Sequence, residues 1–197
     1  MELQQRVINH FHEHIGCIAE SAECLTPDIT IASGILLNCL LDDGKILVCG
    51  NGANGANGQH FCANLLNRFQ QERPSLPALN LAADSTSLMA IARDSTLQDI
   101  FATQVRALGK HNDVLLALSD EGSCANVVQA MQASHDRQMQ VITITGETGG
   151  NMASLLYPDD IAILVPATNR PTIYQLQLVI LNIMCDLIEF QLFRSSE

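Results

Sequence analysis

Residues 50–60 read Gly-Asn-Gly-Ala-Asn-Gly-Ala-Asn-Gly-Gln-His. A short apolar run at 46–49 feeds this stretch, and a helical pattern leaves it. Strand, glycine-rich loop and helix start form the layout of an anion cradle, in which backbone N–H groups and the positive end of a helix dipole converge. Asn51, Gly52 and Asn54 would line such a cradle, and His60 would stand farther along the helix. Yet the loop contains no Ser, Thr, Lys or Arg. Gly50, Gly52, Gly55 and Gly58 equally suit close packing of helix on strand without any ligand.

A second polar loop, Ser119-Asp120-Glu121-Gly122-Ser123-Cys124, follows another apolar run. The hydroxyls of Ser119 and Ser123 could serve an anion. Asp120 and Glu121 would instead complement the following helix dipole themselves. They would also repel a phosphate dianion, by roughly 3 kcal/mol for one pair of unit charges ~5 Å apart at an effective dielectric near 20. Of His10, His12 and His14, only the first and last share a helix face, and no acidic or thiol partner is specified. They read as a solvated face. Asp84, Asp94 and Asp99 read as caps or flanks of short helices. Seven cysteines without a CxxC pair read as reduced, mostly buried thiols.

The elements that must position these groups alternate along the chain. Short β-type runs at 46–50, 77–81, 113–119, 140–146 and 161–166, most of them continuously apolar rather than alternating, predict parallel strands buried on both faces. Helical patterns lie between them at 55–70, from Asp84 or Ser85 through Arg93, at 97–108, at 125–138 and at 149–156. This order predicts a doubly wound α/β fold with right-handed crossovers. Ligands of such sheets bind beyond the C-terminal strand ends, where the strand order reverses. Three loops, 51–58, 119–124 and 146–150, are expected to converge there. Segments 29–41 and 173–193 carry apolar side chains on nearly every face, so they should be buried on all sides. One domain cannot easily cover both, which predicts a homo-oligomer with these helices in its core.

The bulk properties bound the rest. The 197 residues suit one domain, 1–197, with an N-terminal helical part over about 1–42. A net charge of −11 repels phosphate backbones and argues against direct nucleic-acid binding. No uninterrupted apolar run reaches membrane-spanning length, and the first residues lack a signal peptide's apolar core, so a cytoplasmic protein is expected.

The motifs together resemble the sugar isomerase (SIS) fold, in its phosphoheptose isomerase branch. They are the loop 50–55, Gln59-His60-Phe61, Asn67-Arg68-Phe69, the segment 72–79, the segment 112–119 and Thr145 to Gly150. The resemblance implies a five-stranded parallel, flavodoxin-like sheet and a tetramer. Isomerases of this branch interconvert sedoheptulose 7-phosphate and an aldoheptose phosphate. They use a His and a Glu one turn apart after the first loop, with a Gln and a His on the last helix, and these groups can bind zinc. Here the His is His60, but the Glu position is Asn64, and the other two fall on Tyr174 and Asn182. An amide is no proton-transfer base near neutral pH.

Segments 68–79, 105–119 and 185–193 are similar to the DnaA initiator-associating (DiaA) subfamily. That resemblance implies a non-catalytic adaptor without cofactor, which binds DnaA through Leu192 and Phe193. Those two side chains could equally end a buried helix. The expectation is therefore an adaptor promoting replication initiation, with Asn51, Gly52, Asn54, His60, Ser119, Asp120, Glu121 and Ser123 as a relic sugar-phosphate crevice. An active phosphoheptose isomerase, with zinc, and a sugar-phosphate-binding regulatory module are the alternatives.

Overall fold

The computed structural model describes residues 2–193. Five parallel strands, β1 (Ile46–Gly50), β2 (Ala78–Asn80), β3 (Val114–Leu118), β4 (Gln140–Gly146) and β5 (Ile161–Val165), form one sheet in the order β2-β1-β3-β4-β5. The strands are those the apolar runs predict, to within a residue or two at the ends. Alternation along each strand sorts the core into two layers. Ile46, Val48, Leu116 and Leu118 face helices α2 (Thr26–Leu41), α3 (Ala53–Leu66) and α8 (Arg170–Phe193). Leu47, Cys49, Leu115 and Ala117 face α5 (Ile100–Leu108) and α6 (Ala125–Asp136). Helix α4 (Ser85–Asp94) and the single turn α7 (Gly150–Ala153) complete that second layer.

Several helices are shorter than their patterns predict, for local reasons. Helix α4 starts as expected, with the Asp84 carboxylate accepting from Thr86 and Ser87 N–H. The expected helix over 97–108 opens with a 3₁₀ turn, Leu97–Asp99, before α5. Helix α3 stops at Leu66, because the chain turns at Asn67 and the N–H groups of Phe69, Gln70 and Gln71 go elsewhere.

They go to Glu189 on α8. Its carboxylate accepts from Phe69 N at 2.8 Å, Gln70 N at 3.0 Å and Gln71 N at 3.2 Å, and pairs with Arg73 Nε at 2.8 Å. Both charged side chains are buried. The remaining guanidinium donors reach the carbonyls of Asn64, Leu65 and Pro74. A helix pattern shows which residues share a side, but not that a charged one is matched by a loop more than a hundred positions away.

The terminal helices are not covered all round by the chain itself. Helices α1 (Leu3–Cys24) and α2 meet at 68°. Helix α1, not singled out in the sequence for apolarity, exposes Leu3, Val7, Phe11, Ile15 and Ile18. These recur at spacings of three and four and form one stripe. Helix α8 is long and apolar enough to span a membrane, yet it packs on α2 and α3, leaving Val179, Ile183 and Phe190 exposed. All seven cysteines are free. Burial pushes the thiols of Cys49 and Cys62 up to about 12, which makes them packing groups rather than nucleophiles.

The Arg73–Glu189 pair sets an expected acid limit. Burial alone would raise the Glu189 pKa, but the three N–H groups and Arg73 together lower it below 4.5. Its stabilisation is therefore fully present above about pH 4.5, the unfolded value, and is lost as pH falls through the lower folded value. Arg73→Met should cost about 3–5 kcal/mol in urea unfolding at neutral pH. Glu189→Gln should flatten the stability profile on the acid side, as read from unfolding curves between pH 3 and 7.

Candidate functional site

The strand order reverses between β1 and β3, and there the loops after these strands meet. Asn51 and Asn126 exchange two amide hydrogen bonds, Asn51 Nδ2 to Asn126 Oδ1 at 2.9 Å and Asn126 Nδ2 to Asn51 Oδ1 at 2.8 Å. Asn126 Oδ1 also accepts from the N–H of Val127. Asn126 escaped the sequence reading, since one Asn in a helical pattern carries no signal of its own. Beside this clasp a cavity of about 570 Å³ opens toward β2, lined by Gly52, Gly55, Gln59, Asn80 and Phe101 among others. Gly55 and Gln59, one turn apart, share one face of α3. Gly52 has φ +55°, which favours glycine. A Cβ on Gly55 would lie 2.7 Å from the Gly50 carbonyl oxygen, so this glycine serves the approach of helix to strand. Asn80, buried on β2, donates to the Gly55 carbonyl at 2.9 Å and to Gln59 Oε1 at 3.2 Å.

The loops after β3 and β4 do not open onto this cavity as a third wall; they close on each other. Gly122 and Gly149 both have positive φ, and a Cβ on Gly122 would sit 2.1 Å from the Gly149 oxygen. Gly146 N–H donates to the Asp120 carbonyl at 3.0 Å, and Met152 N–H to that of Gly122 at 2.9 Å. The expected convergence of three loops on one crevice is thus corrected: the loops after β1 and β2 line the cavity, and those after β3 and β4 are sealed backbone to backbone. Ser119 is buried, and its Oγ accepts from Gly122 N–H, so it is turned inward rather than offered to an anion. Ser123 remains exposed.

Asp120 and Glu121 are not bare charges either. Arg170, at the start of α8, pairs with Asp120 at 2.6 Å and with Glu121. Tyr174 Oη donates to Asp120 at 3.2 Å, and burial followed by the Asp120 charge pushes the phenol pKa up. One guanidinium against two carboxylates leaves a net −1, half the repulsion that the sequence suggests. Another residue missed in the sequence, Gln177, is fully buried and donates to the carbonyls of Ser119 at 2.9 Å and Ile144 at 3.1 Å. It ties α8 to the ends of β3 and β4. Asn54 is buried at the start of α3, and its Oδ1 lacks a partner among the described residues.

His60 lies on a different face of α3, along its seam with α8. Its Nε2 is 3.1 Å from Asn64 Nδ2 and 3.2 Å from Asn182 Oδ1. Asn57 donates to the Tyr174 carbonyl in the same seam at 2.8 Å. The sequence correspondence is spatially correct: His60, Asn64 and Asn182 meet. Zinc takes imidazole, thiolate and carboxylate ligands, three or four together. This set offers one imidazole and two amides, and no group of three or more His, Cys, Asp or Glu converges among the described residues. The residues do not fit the zinc that the resemblance implies. At the far end of α8, Leu192 and Phe193 are half-buried and pack on the core, whereas Phe190 is exposed. The expected docking pair therefore lies at the end of a packed helix.

Residues 10–146 match the SIS domain family. The phosphoheptose isomerase of Chromohalobacter salexigens is 48% identical over 197 residues, covering 100% of both chains. That of Laribacter hongkongensis is 43% identical over 192 residues, covering 98% of each. Among solved structures, phosphoheptose isomerase from Neisseria gonorrhoeae superposes with a TM-score of 0.90 at 38% identity, covering 95% of this chain and 99% of that one. The one from Francisella tularensis gives 0.92 at 37% identity, covering 95% and 98%. These relatives correct two expectations. Full-length likeness to isomerases overturns the reading of a DnaA-binding adaptor, and likeness to named enzymes overturns the reading of a non-enzyme. The local similarity of three segments carried too much weight against the chain as a whole.

The Asn51–Asn126 clasp should be measurable as a coupling. In a double-mutant cycle with Asn51→Ala and Asn126→Ala, the two losses should be non-additive by about 0.5–3 kcal/mol in urea unfolding. Strict additivity would show that the amides act separately.

Proposed function

We propose that this chain, which belongs to the SIS domain family, is an aldose–ketose isomerase of a heptose phosphate, with sedoheptulose 7-phosphate as its ketose. The observation that carries this reading is the full-length identity of 42–48% to proteins named phosphoheptose isomerase. Isomerisation moves a proton between neighbouring carbons and needs a group that can exchange protons. His60 supplies one, exposed at the seam of α3 and α8. The cavity beside the clasp suits a polyol, because its polar lining is the amides of Asn51, Gln59 and Asn80. The N-terminal turn of α3 brings the positive end of a 14-residue helix to the same place for the phosphate.

The active unit in this reading is a homo-oligomer, a tetramer by resemblance. The exposed stripe on α1 continues into an apolar groove of about 290 Å³ between α1, α2 and α8, lined by Ile18, Ile29, Val179, Ile183 and Leu187 among others. Such a surface is stable in water when a second copy covers it.

Two measurements test these readings. Purified protein should convert sedoheptulose 7-phosphate, and His60→Ala should lower kcat/KM by about 10²–10⁴. A folded wild type without turnover would overturn the isomerase reading. Light scattering should show an oligomer at micromolar concentration, dissociated by Phe11→Asp with Ile15→Asp. A monomeric wild type would refute the assembly.

A further inference from the structure

Two amides on the cavity wall, Asn51 and Gln59, are each held by a buried asparagine whose own orientation the backbone decides. Asn80 Oδ1 accepts from the N–H of Ala82 at 3.0 Å, and its Nδ2 donates to the Gly55 carbonyl at 2.9 Å. A backbone N–H only donates and a carbonyl only accepts, so the oxygen and nitrogen of Asn80 cannot be exchanged. The other N–H of Asn80 goes to Gln59 at 3.2 Å and must meet its Oε1. Both hydrogens of the Asn80 amide are then used, and the nitrogen end of Gln59 is turned away. Gln59 Nε2 has no partner among the described residues, and the side chain is exposed where it lines the cavity. Asn51 is set in the same way by Asn126 and the Val127 N–H, but it keeps one spare donor and one spare acceptor. Gln59 offers donors alone. Leu88, Ile100 and Phe101 line the same cavity and bring no hydrogen-bonding side chain.

We infer that Gln59 is a specificity-determining residue of this cavity, donating to an accepting oxygen of a sugar, and that Asn80 is the positioning residue that keeps those donors turned to the ligand. The class of ligand rests on the isomerase reading; the direction of the Gln59 amide does not. The spacing assigns Gln59 to the sugar rather than to the phosphate. It stands seven residues along α3 from Gly52, roughly 10 Å at the helical rise, whereas the pull of the helix dipole is confined to the first turn. A phosphate seated at the helix start leaves the carbon chain to reach Gln59. A sugar oxygen placed there must accept, because Asn80 prevents Gln59 from turning its own oxygen toward the ligand.

Calorimetry with sedoheptulose 7-phosphate tests this, and Gln59 is exposed, so its variants should melt with the wild type. Gln59→Leu removes the donors. Gln59→Glu keeps an oxygen for Asn80 to grip and replaces the donating nitrogen by an acceptor. Each should weaken Kd about tenfold, while the affinity of Gln59→Leu for inorganic phosphate stays that of the wild type. Asn80→Ala should weaken sugar-phosphate binding in the wild-type background and add nothing in the Gln59→Leu background; a merely structural role would weaken both alike. Wild-type affinity in Gln59→Leu or Gln59→Glu overturns the inference, and turnover alongside it leaves the isomerase reading standing. Weakened binding by the variants of a protein that shows no turnover sinks the isomerase reading and keeps the inference. Absence of any sedoheptulose 7-phosphate binding by the wild type overturns both.

Discussion

A buried carboxylate governs how the last helix sits. Glu189 is enclosed by protein, and a charge there is tolerable only when its oxygens are fully bonded. Three successive backbone N–H groups and Arg73 meet that demand. They can do so only if α3 stops at Leu66 and the following loop folds back over α8. Arg73 then spends its other donors on the carbonyls that the end of α3 leaves open. One ion pair therefore ends one helix, shapes a loop and sets the position of another. Asn182 stands two turns before Glu189 on the same helix, so the partner of His60 is placed by that anchor.

The other end of α8 is held by neutral and charged contacts of a different kind. Gln177 stitches it to the ends of β3 and β4, while Arg170 and Tyr174 engage Asp120. These bonds, with the glycine contact between the loops after β3 and β4, close that side of the switch point. The open volume is left beside β1 and β2, where the lining is glycine and amide. A neutral, donor- and acceptor-rich wall suits sugar hydroxyls better than it suits a bare dianion. In the isomerase reading, a phosphate would meet a helix start rather than a cationic side chain within the cavity.

The strands and their parallel direction were legible because they rest on local patterns. Continuous apolar runs such as those of β1 and β3 allow few other readings. What could not be read were pairings between distant residues. Glu189 with Arg73, Arg170 with Asp120 and Asn51 with Asn126 each join elements whose sequence separation hides the contact. The sequence showed two carboxylates in a phosphate loop and could not show the guanidinium that partly cancels them. It showed Leu192 and Phe193 at the chain's end, and only packing shows that they lie on the core while Phe190 faces out. The meeting of His60, Asn64 and Asn182 was legible through the resemblance, since homologous helices keep their registers even where side chains change.

Whole-chain likeness and local chemistry answer different questions here. Identity along the entire length shows the family and the fold. In the isomerase reading, amides at Asn64 and Asn182 alter how the reaction can be run. A carboxylate and an imidazole can change charge or bind a metal; an amide can do neither, but it has one donor end and one acceptor end. Two amides around a single ring nitrogen therefore cannot supply a second base. The chemistry of the seam is then that of one oriented imidazole, and its strength depends on how rigidly α3 and α8 hold their spacing. That spacing returns to the buried carboxylate two turns away: a site with fewer reactive groups depends more heavily on the packing that aims the one it retains.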